Sequence, residues 1–499
     1  MISYENAAFK DSTESRQKES GNVYLVEEDA LHCEEEIRER GRENKIQEDS
    51  RERRTRLLKQ SLMVCLSSLG MWTTGSVIGF SSVIAYDLET HNTTIYGHPI
   101  TLSSEEFDQL SSLKSIAAIP GACVIASVMT LWGRRLCMAV SGLFMIVGWL
   151  GIVLIPGVNG MLISRFISGF GIGGLSISIN TYVVELADLE VRGTMAAIIT
   201  IGIIGGQVVT MALGYAFRYY TVGLLLMIFP ILFLLSLVWL PEGPSVLIVQ
   251  GREEDARKAL VRLRGKYADI DAEVQVYKDM NKVTEDNRSP WRELVTREPL
   301  IDLARVSILF VIMHFTGYYV VTANIARIFN EAGSAIDNSI ASVIVSSVQL
   351  VASAFASIPI DKLGRRKSLI MSYSIMSVPL AVMAAYFGIF SDDTQEETNP
   401  YGWIPVVCLV TSQAAVVLGA NPIPFILSNE YFPTFIRPQA SSICFVIATF
   451  MGFIVLQFYT PMVEGMTLAG VFAFYACSCV AGIPYTFFFI KETKGKHVG

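Results

Sequence analysis

Two charged signatures recur in the same order along this chain, each just past an apolar stretch long enough to cross a bilayer. Gly133-Arg134-Arg135 returns as Gly364-Arg365-Arg366, and Glu185 followed by Arg192 returns as Glu430 followed by Arg437. The chain therefore reads as a duplicated membrane protein. Its 52% hydrophobic and 17% charged residues support this, because soluble domains carry roughly a quarter charged residues. Most of the apolar surface must face lipid or pack within it. Parallel repeats in one membrane chain often enclose a midplane solute site between halves that rock against each other, so solute transport is the function to which the duplication points.

Residues 1–56 are rich in Glu, Arg, Lys, Ser and Gln and hold no apolar run resembling a secretory signal, so a disordered cytoplasmic tail is expected there. Twelve apolar runs follow, near 61–85, 112–132, 136–155, 161–183, 195–216, 221–240, 302–328, 339–360, 368–390, 402–427, 439–460 and 467–490. Each is close to the ~20 residues that a helix needs to span. The expected fold class is an all-α membrane protein of twelve transmembrane helices in two six-helix halves, 57–240 and 301–490. Residues 241–300 are expected to form a cytoplasmic helical linker and 491–499 a short cytoplasmic tail. Within the linker, 252–264 places acids first and bases last, as a short helix prefers.

Charge sets the orientation. Arg51, Arg53, Arg54 and Arg56 precede the first span, and further Lys and Arg crowd the loops at 134–135, 251–300, 362–367 and 491–496, whereas Asp87, Glu89, Glu105, Glu106, Asp392 and Glu396 fall on the other side. By the positive-inside rule both termini are expected in the cytoplasm. Asn92-Thr93-Thr94 is then a candidate glycosylation site in the first outer loop, although such triplets also arise by chance. Asn287-Arg288-Ser289 falls on the cytoplasmic side and is expected to stay unmodified. None of the eight cysteines pair across outer loops, so no disulfide framework is expected. No nucleophile, base and orienting group cluster, and no metal-ligand spacing appears: neither catalysis, cofactor nor nucleic acid is indicated. The expected partners are a small-molecule solute and the lipid bilayer, with the chain as a monomer.

A Gly-Arg-Arg turn between two spans fixes two cations that can pair with carboxylates or helix C-terminal carbonyls. Arg134, Arg135, Glu185 and Arg192 in the first half, and Asp361, Arg365, Arg366, Glu430 and Arg437 in the second, are the candidate gating network. Arginines that only enforce topology are the plainer alternative; the paired recurrence favours a network broken and remade during transport.

With these signatures stand Arg165-Phe166-Ile167-Ser168-Gly169, Tyr182-Val183-Val184-Glu185, Pro241-Glu242-Gly243-Pro244-Ser245, Asp361-Lys362-Leu363-Gly364-Arg365-Arg366, Asn421-Pro422-Ile423-Pro424-Phe425 and Glu492-Thr493-Lys494-Gly495. Together and in this order they resemble the sugar porter family of the major facilitator superfamily, which includes facilitative glucose and insect trehalose-type carriers. The resemblance runs from about 57 to 495. It implies the major facilitator fold, alternating access and a plasma-membrane location.

Departures from that family bear on the solute. An acidic residue expected three positions before the first glycine is Thr130, while Asp361 keeps its counterpart. The resemblance puts Met313-His314, Thr316-Gly317 and Tyr319 where the family has paired glutamines, Ser-Gly and asparagine. Thr200 replaces a glutamine, Phe425 a tryptophan and Ala448 an asparagine. The candidate cleft is Thr200, Gln207, His314, Thr316, Tyr319 and Gln349, floored by Phe425. Each of the polar residues has inter-helix glue as its alternative role. A hydroxyl stripped of water without a partner costs about 1–3 kcal/mol, and this cleft has lost amides that would serve sugar hydroxyls.

Three readings stay open: a facilitative carrier of a hexose or trehalose-like sugar, a carrier of a less hydroxylated solute, and a non-transporting sensor on the same fold. The first span, Ser61 to Ala85, holds no Asp or Glu, so uncoupled, downhill transport is expected, with His314 as the one group that could still couple a proton. Pro422 and Pro424 break the tenth span and make it the expected moving gate.

Overall fold

The computed structural model describes residues 50–91, 93–188, 191–265, 270–285, 290–333, 337–390, 401–432 and 436–494. The N-terminal tail up to residue 49, Asn92 and the last five residues lie outside this set, as do the side chains of Arg192 and Asp361. Among the described residues twelve helical spans are long and apolar enough to cross a membrane. They are α1 (Ser50–His91), α2 (Ser104–Trp132), α3 (Arg134–Leu154), α4 (Val158–Leu186), α5 (Arg192–Ala216) and α6 (Tyr219–Leu226 continued by Ile228–Ser236) in the first half. The second half holds α7 (Arg297–Phe315 and Tyr318–Glu331), α8 (Asn338–Phe355 and Ser357–Leu363), α9 (Arg365–Phe390), α10 (Ile404–Ala415, Val416–Ala420 and Pro422–Glu430), α11 (Arg437–Gln457) and α12 (Tyr459–Phe489). Every expected apolar run overlaps one of these spans, with ends that differ by up to four residues beyond the helix, as at 221–240 against Ser236 and 439–460 against Gln457.

The helices overrun their apolar runs where polar chemistry extends them. Ser103 caps α2 reciprocally with Glu106, each accepting the other's backbone N–H at 3.2 and 2.8 Å, which starts the helix well before its apolar run. The apolar run of α12 begins at Thr467, and there the backbone leaves helical geometry (φ 61°, ψ 165°), so Tyr459 to Met466 form a preceding helical piece. Two spans break inside. In α7, Gly317 adopts φ +78° between the two pieces, where a Cβ would lie 2.3 Å from the Tyr475 ring. In α10, a π-helical turn at Val416–Ala420 precedes Pro422; the wider turn absorbs the missing proline N–H.

Within the halves, α4 packs on α2 and α3, and α9 on α10 and α12; across the halves, α2 packs on α11 and α5 on α8. Small residues permit the closest contacts, as expected from the spacing of Gly169 and Gly173 in α4 and Gly202 and Gly206 in α5. A Cβ on Gly173 would sit 2.0 Å from the Ala118 carbonyl oxygen, and one on Gly206 the same distance from that of Trp72.

Among the described residues, a separate small unit comprises 50–60, 243–265 and 270–285. Its helices Pro244–Val249, Glu253–Arg264 and Ile270–Glu285 bury Leu247, Leu260 and Val274 together. Gln60 Nε2 donates to the Leu263 carbonyl at 2.9 Å, and Arg264 pairs with Glu273 at 3.0 Å.

Candidate functional site

The two Gly-Arg-Arg turns are built alike. Gly133 has φ +91° and Gly364 φ +88°, a conformation that L side chains rarely adopt. The room beside each glycine is also taken: a Cβ would meet the Glu242 carboxylate at 2.7 Å in the first turn and that of Glu492 at 2.6 Å in the second. Each carboxylate caps the helix that follows. Arg134 and Arg135 donate their backbone N–H groups to Glu242 at 2.7 and 3.2 Å, and Arg365 and Arg366 donate theirs to Glu492 at 2.9 and 3.1 Å. A glycine has no side chain to cap the helix, so a remote anion satisfies orphan donors at the positive end of the dipole.

The guanidinium groups then reach to a third helix. Arg134 pairs with Glu185 at the end of α4 and Arg365 with Glu430 at the end of α10, both at 2.9 Å. Tyrosines tie the same corners: Tyr182 donates to the Pro241 carbonyl at 2.7 Å, and Tyr431 to that of Lys491 at 3.1 Å. Thr493 also donates to Glu430, Arg366 lies over the Phe487 ring at 4.6 Å, and Arg437 donates to the Phe432 carbonyl at 3.2 Å. The candidate gating residues with described side chains thus gather as two networks, each within its own half. Glu242 and Glu492 complete these networks and are absent from the residues singled out for gating. Their signal was present, since each stands just after the last span of its half.

The cleft candidates do not form one cluster. His314, Thr316 and Tyr319 meet at the break in α7, with the His314 and Tyr319 rings stacked at 5.0 Å. Phe425 of α10 joins them through Phe310, edge to face at 4.8 Å. On α5, Thr200 is half-buried and Gln207 buried, the latter against Gly79 of α1. No hydrogen bond or ring contact joins those two to the His314 group among the described residues. Several polar groups are spent locally: Thr316 Oγ1 donates to the Met313 carbonyl at 2.7 Å, and His314 Nδ1 lies 2.8 Å from the Phe310 carbonyl. A carbonyl only accepts, so Nδ1 carries the proton and a neutral ring leaves Nε2 as acceptor. Nε2 faces Gly452 of α11, where a Cβ would lie 3.3 Å away. Gln349 is buried on α8, and its Nε2 has no partner.

Several hydrogen bonds between the halves lie away from the Gly-Arg-Arg turns. Asp108 Oδ2 accepts from the Thr460 backbone N–H at 2.7 Å, and Ser112 Oγ lies 2.7 Å from Gln457 Oε1. The Ala326 N–H meets Ser82 Oγ at 3.4 Å, and Ser346 Oγ meets Met211 Sδ at 2.8 Å. Beside them lies a small recess lined by Ser82, Tyr86, Met211, Gly214, Ala326 and Ser342, which includes none of the expected ligand residues. These bonds join the halves at the end opposite the charged turns.

A family model described as sugar (and other) transporter matches residues 61–498. Among curated relatives, a facilitated trehalose transporter of Drosophila mojavensis is 28% identical over 443 residues, covering 88% of this chain and 50% of its own length. One from Polypedilum vanderplanki is 28% identical over 435 residues, covering 86% of each chain. The chain spans about half the length of the first relatives it matches. Of solved structures, a partially occluded inward-open form of the xylose transporter XylE from E. coli superposes with a TM-score of 0.72 at 19% identity, over 88% of this chain and 99% of that one. The XylE complex with 6-bromo-6-deoxy-D-glucose gives 0.71 at 20% identity, over 88% and 98%. The duplicated charged turns, the pairing of α2 with α11 and α5 with α8, and the match across 61–498 make this chain a member of the sugar (and other) transporter family with the twelve-helix major facilitator fold.

Proposed function

We propose that the chain is a facilitative, uncoupled carrier of a sugar, a hexose or a trehalose-like disaccharide, that works by alternating access. The observation that carries this reading is the family match over two six-helix halves that hydrogen bonds from Asp108 to Thr460 and from Ser112 to Gln457 join across their interface. The relatives named as facilitated trehalose transporters support the solute class. Uncoupled transport rests on α1, which holds no Asp or Glu from Ser61 to Ala85. In this reading the chain works as a monomer in the plasma membrane with both termini cytoplasmic. The two Gly-Arg-Arg networks close the cytoplasmic side and part when the cleft opens inward, and 241–300 links two bodies of about 57–240 and 301–490. Thr200, Gln207, His314, Thr316, Tyr319, Gln349 and Phe425 face the solute, and Asn92 is the glycosylation site.

A second reading, a less hydroxylated solute, is favoured by the local spending of Thr316 and His314 on backbone carbonyls and by the packing of Phe425 on Phe310. Uptake of radiolabelled trehalose and glucose into proteoliposomes, with and without an imposed pH gradient, tests both. Saturable, gradient-independent equilibration of either sugar is expected. Accumulation driven by the pH gradient overturns the uncoupled reading, and flux of neither sugar overturns the sugar reading.

A further inference from the structure

Lys114 of α2 and Arg165 of α4 are 3% and 0% exposed, far inside the first half, and both lean on one hydroxyl. Lys114 Nζ lies 3.5 Å from Ser81 Oγ, and Arg165 Nη2 donates to the same oxygen at 3.2 Å. Their other hydrogen bonds go to neutral carbonyls, those of Ser111 for Lys114 and of Val77, at 2.7 Å, for Arg165. The Arg165 guanidinium also lies 5.4 Å from the centroid of the Phe80 ring. Neither cation makes an ion pair among the described residues. The nearest acid along α2 is Asp108, six residues or about 9 Å of helix away; its Oδ2 is engaged with Thr460 across the interface, and its Oδ1 is buried without a partner. From Ser61 to Ala85, α1 offers no acid at all.

The local surplus is of donors. Arg165 Nε and the Ser111 hydroxyl are both buried without a partner, and the Ser81 hydroxyl still carries a proton to give. Two positive charges in a low-dielectric interior repel each other, and each loses its hydration. Arginine stays charged, and intramembrane ionisable groups mark functional sites. Burial on this pattern calls for an acceptor with negative charge, and among the described residues none is bonded to either cation.

We propose that Lys114, Arg165 and Ser81 form a binding site for a small monovalent anion, a halide or the carboxylate of a small organic acid. Such an anion takes charge-assisted bonds from both cations and one from the Ser81 hydroxyl. The inference holds whichever solute the cleft carries.

Binding is read directly on the purified full-length chain in detergent. Thermal unfolding is followed while a bulky sulfonate buffer, sodium HEPES, is replaced by sodium chloride in one series and sodium acetate in another, at constant ionic strength. At about 100 times its dissociation constant a bound anion raises the midpoint by a few degrees in a saturable way. The series that saturates tells halide from carboxylate. Lys114→Met is expected to abolish the rise and Ser81→Ala to weaken half-saturation several-fold. Midpoints that stay flat in both series overturn the site and leave Lys114 as a neutral amine. An equal rise in Lys114→Met or unaltered half-saturation in Ser81→Ala also overturns it. If Lys114→Met does not fold, the wild-type and Ser81→Ala series decide alone.

Discussion

At the scale of single residues, the charged turns work through groups that sit far apart in sequence. A carboxylate that receives two backbone N–H groups at a helix start is a charge-assisted cap, and such bonds exceed neutral ones in strength. Glu492→Gln and Glu242→Gln keep the shape and remove the charge, so each is expected to destabilise its half by about 1–2 kcal/mol. Thermal unfolding in detergent checks this, and midpoints equal to wild type would show that the caps hold nothing. Gly364→Ala is expected to be at least as damaging, because the positive φ strains any side chain by about 1–3 kcal/mol and the new methyl meets the Glu492 carboxylate. A transport assay on the same variants separates the roles: loss of flux with retained folding assigns the turn to gating.

At the scale of elements, helix approach is set by backbone and not by side-chain volume. Gly206 lies where a Cβ would sit 2.0 Å from the Trp72 carbonyl oxygen, whereas at Gly202 the nearest atoms are a Trp72 ring carbon at 3.2 Å and the Ser68 carbonyl oxygen at 3.3 Å, which a shift of a few tenths of an ångström relieves. A backbone oxygen cannot swing aside. Gly206→Ala is therefore expected to part α1 from α5 and abolish monodisperse behaviour on size exclusion, while Gly202→Ala is tolerated; equal behaviour of the two refutes the account. The linker unit gives a pH-dependent counterpart. Glu253 is held below the ordinary glutamate value of 4.5 by its bonds to Lys278, then to Arg257. A depressed folded value means that the contribution is complete above 4.5 and fades as pH falls through the lower one. Amide protection across residues 253–264, corrected for intrinsic rates, is expected to hold from pH 7 to 5 and to fall only below 4.5. The spans themselves were legible because apolar length and flanking charge are local properties. Glu242 and Glu492 were not singled out for gating because a remote cap exists only once the last helix of each half returns to the first turn. The local spending of Thr316 and His314 was equally hidden, since either side chain could have pointed at solute or at its own helix.

For the whole molecule, the position of the bonds between halves decides which face opens. The bonds of Asp108, Ser112 and Ser82 lie at the end opposite the charged turns, in keeping with a carrier closed there. Asp108 is the strongest of these fasteners, because its carboxylate receives the Thr460 N–H at the start of the last helix, where the dipole favours an anion. Removing it strands that donor and loses a charge-assisted bond, worth about 1–3 kcal/mol. Since 1.4 kcal/mol is a tenfold change in an equilibrium, Asp108→Ala is expected to shift the population toward the state open at this end by about fivefold to a hundredfold. Ser112→Ala, which deletes a neutral bond to Gln457, is expected to shift it by tenfold or less. Spin labels at the exposed Thr101 and Glu464, one in each half, report the change as a second, longer distance in pulsed electron resonance. If the distance distribution in Asp108→Ala matches that of the wild type, this end is held by packing of α2 on α11 and α5 on α8 and not by its hydrogen bonds.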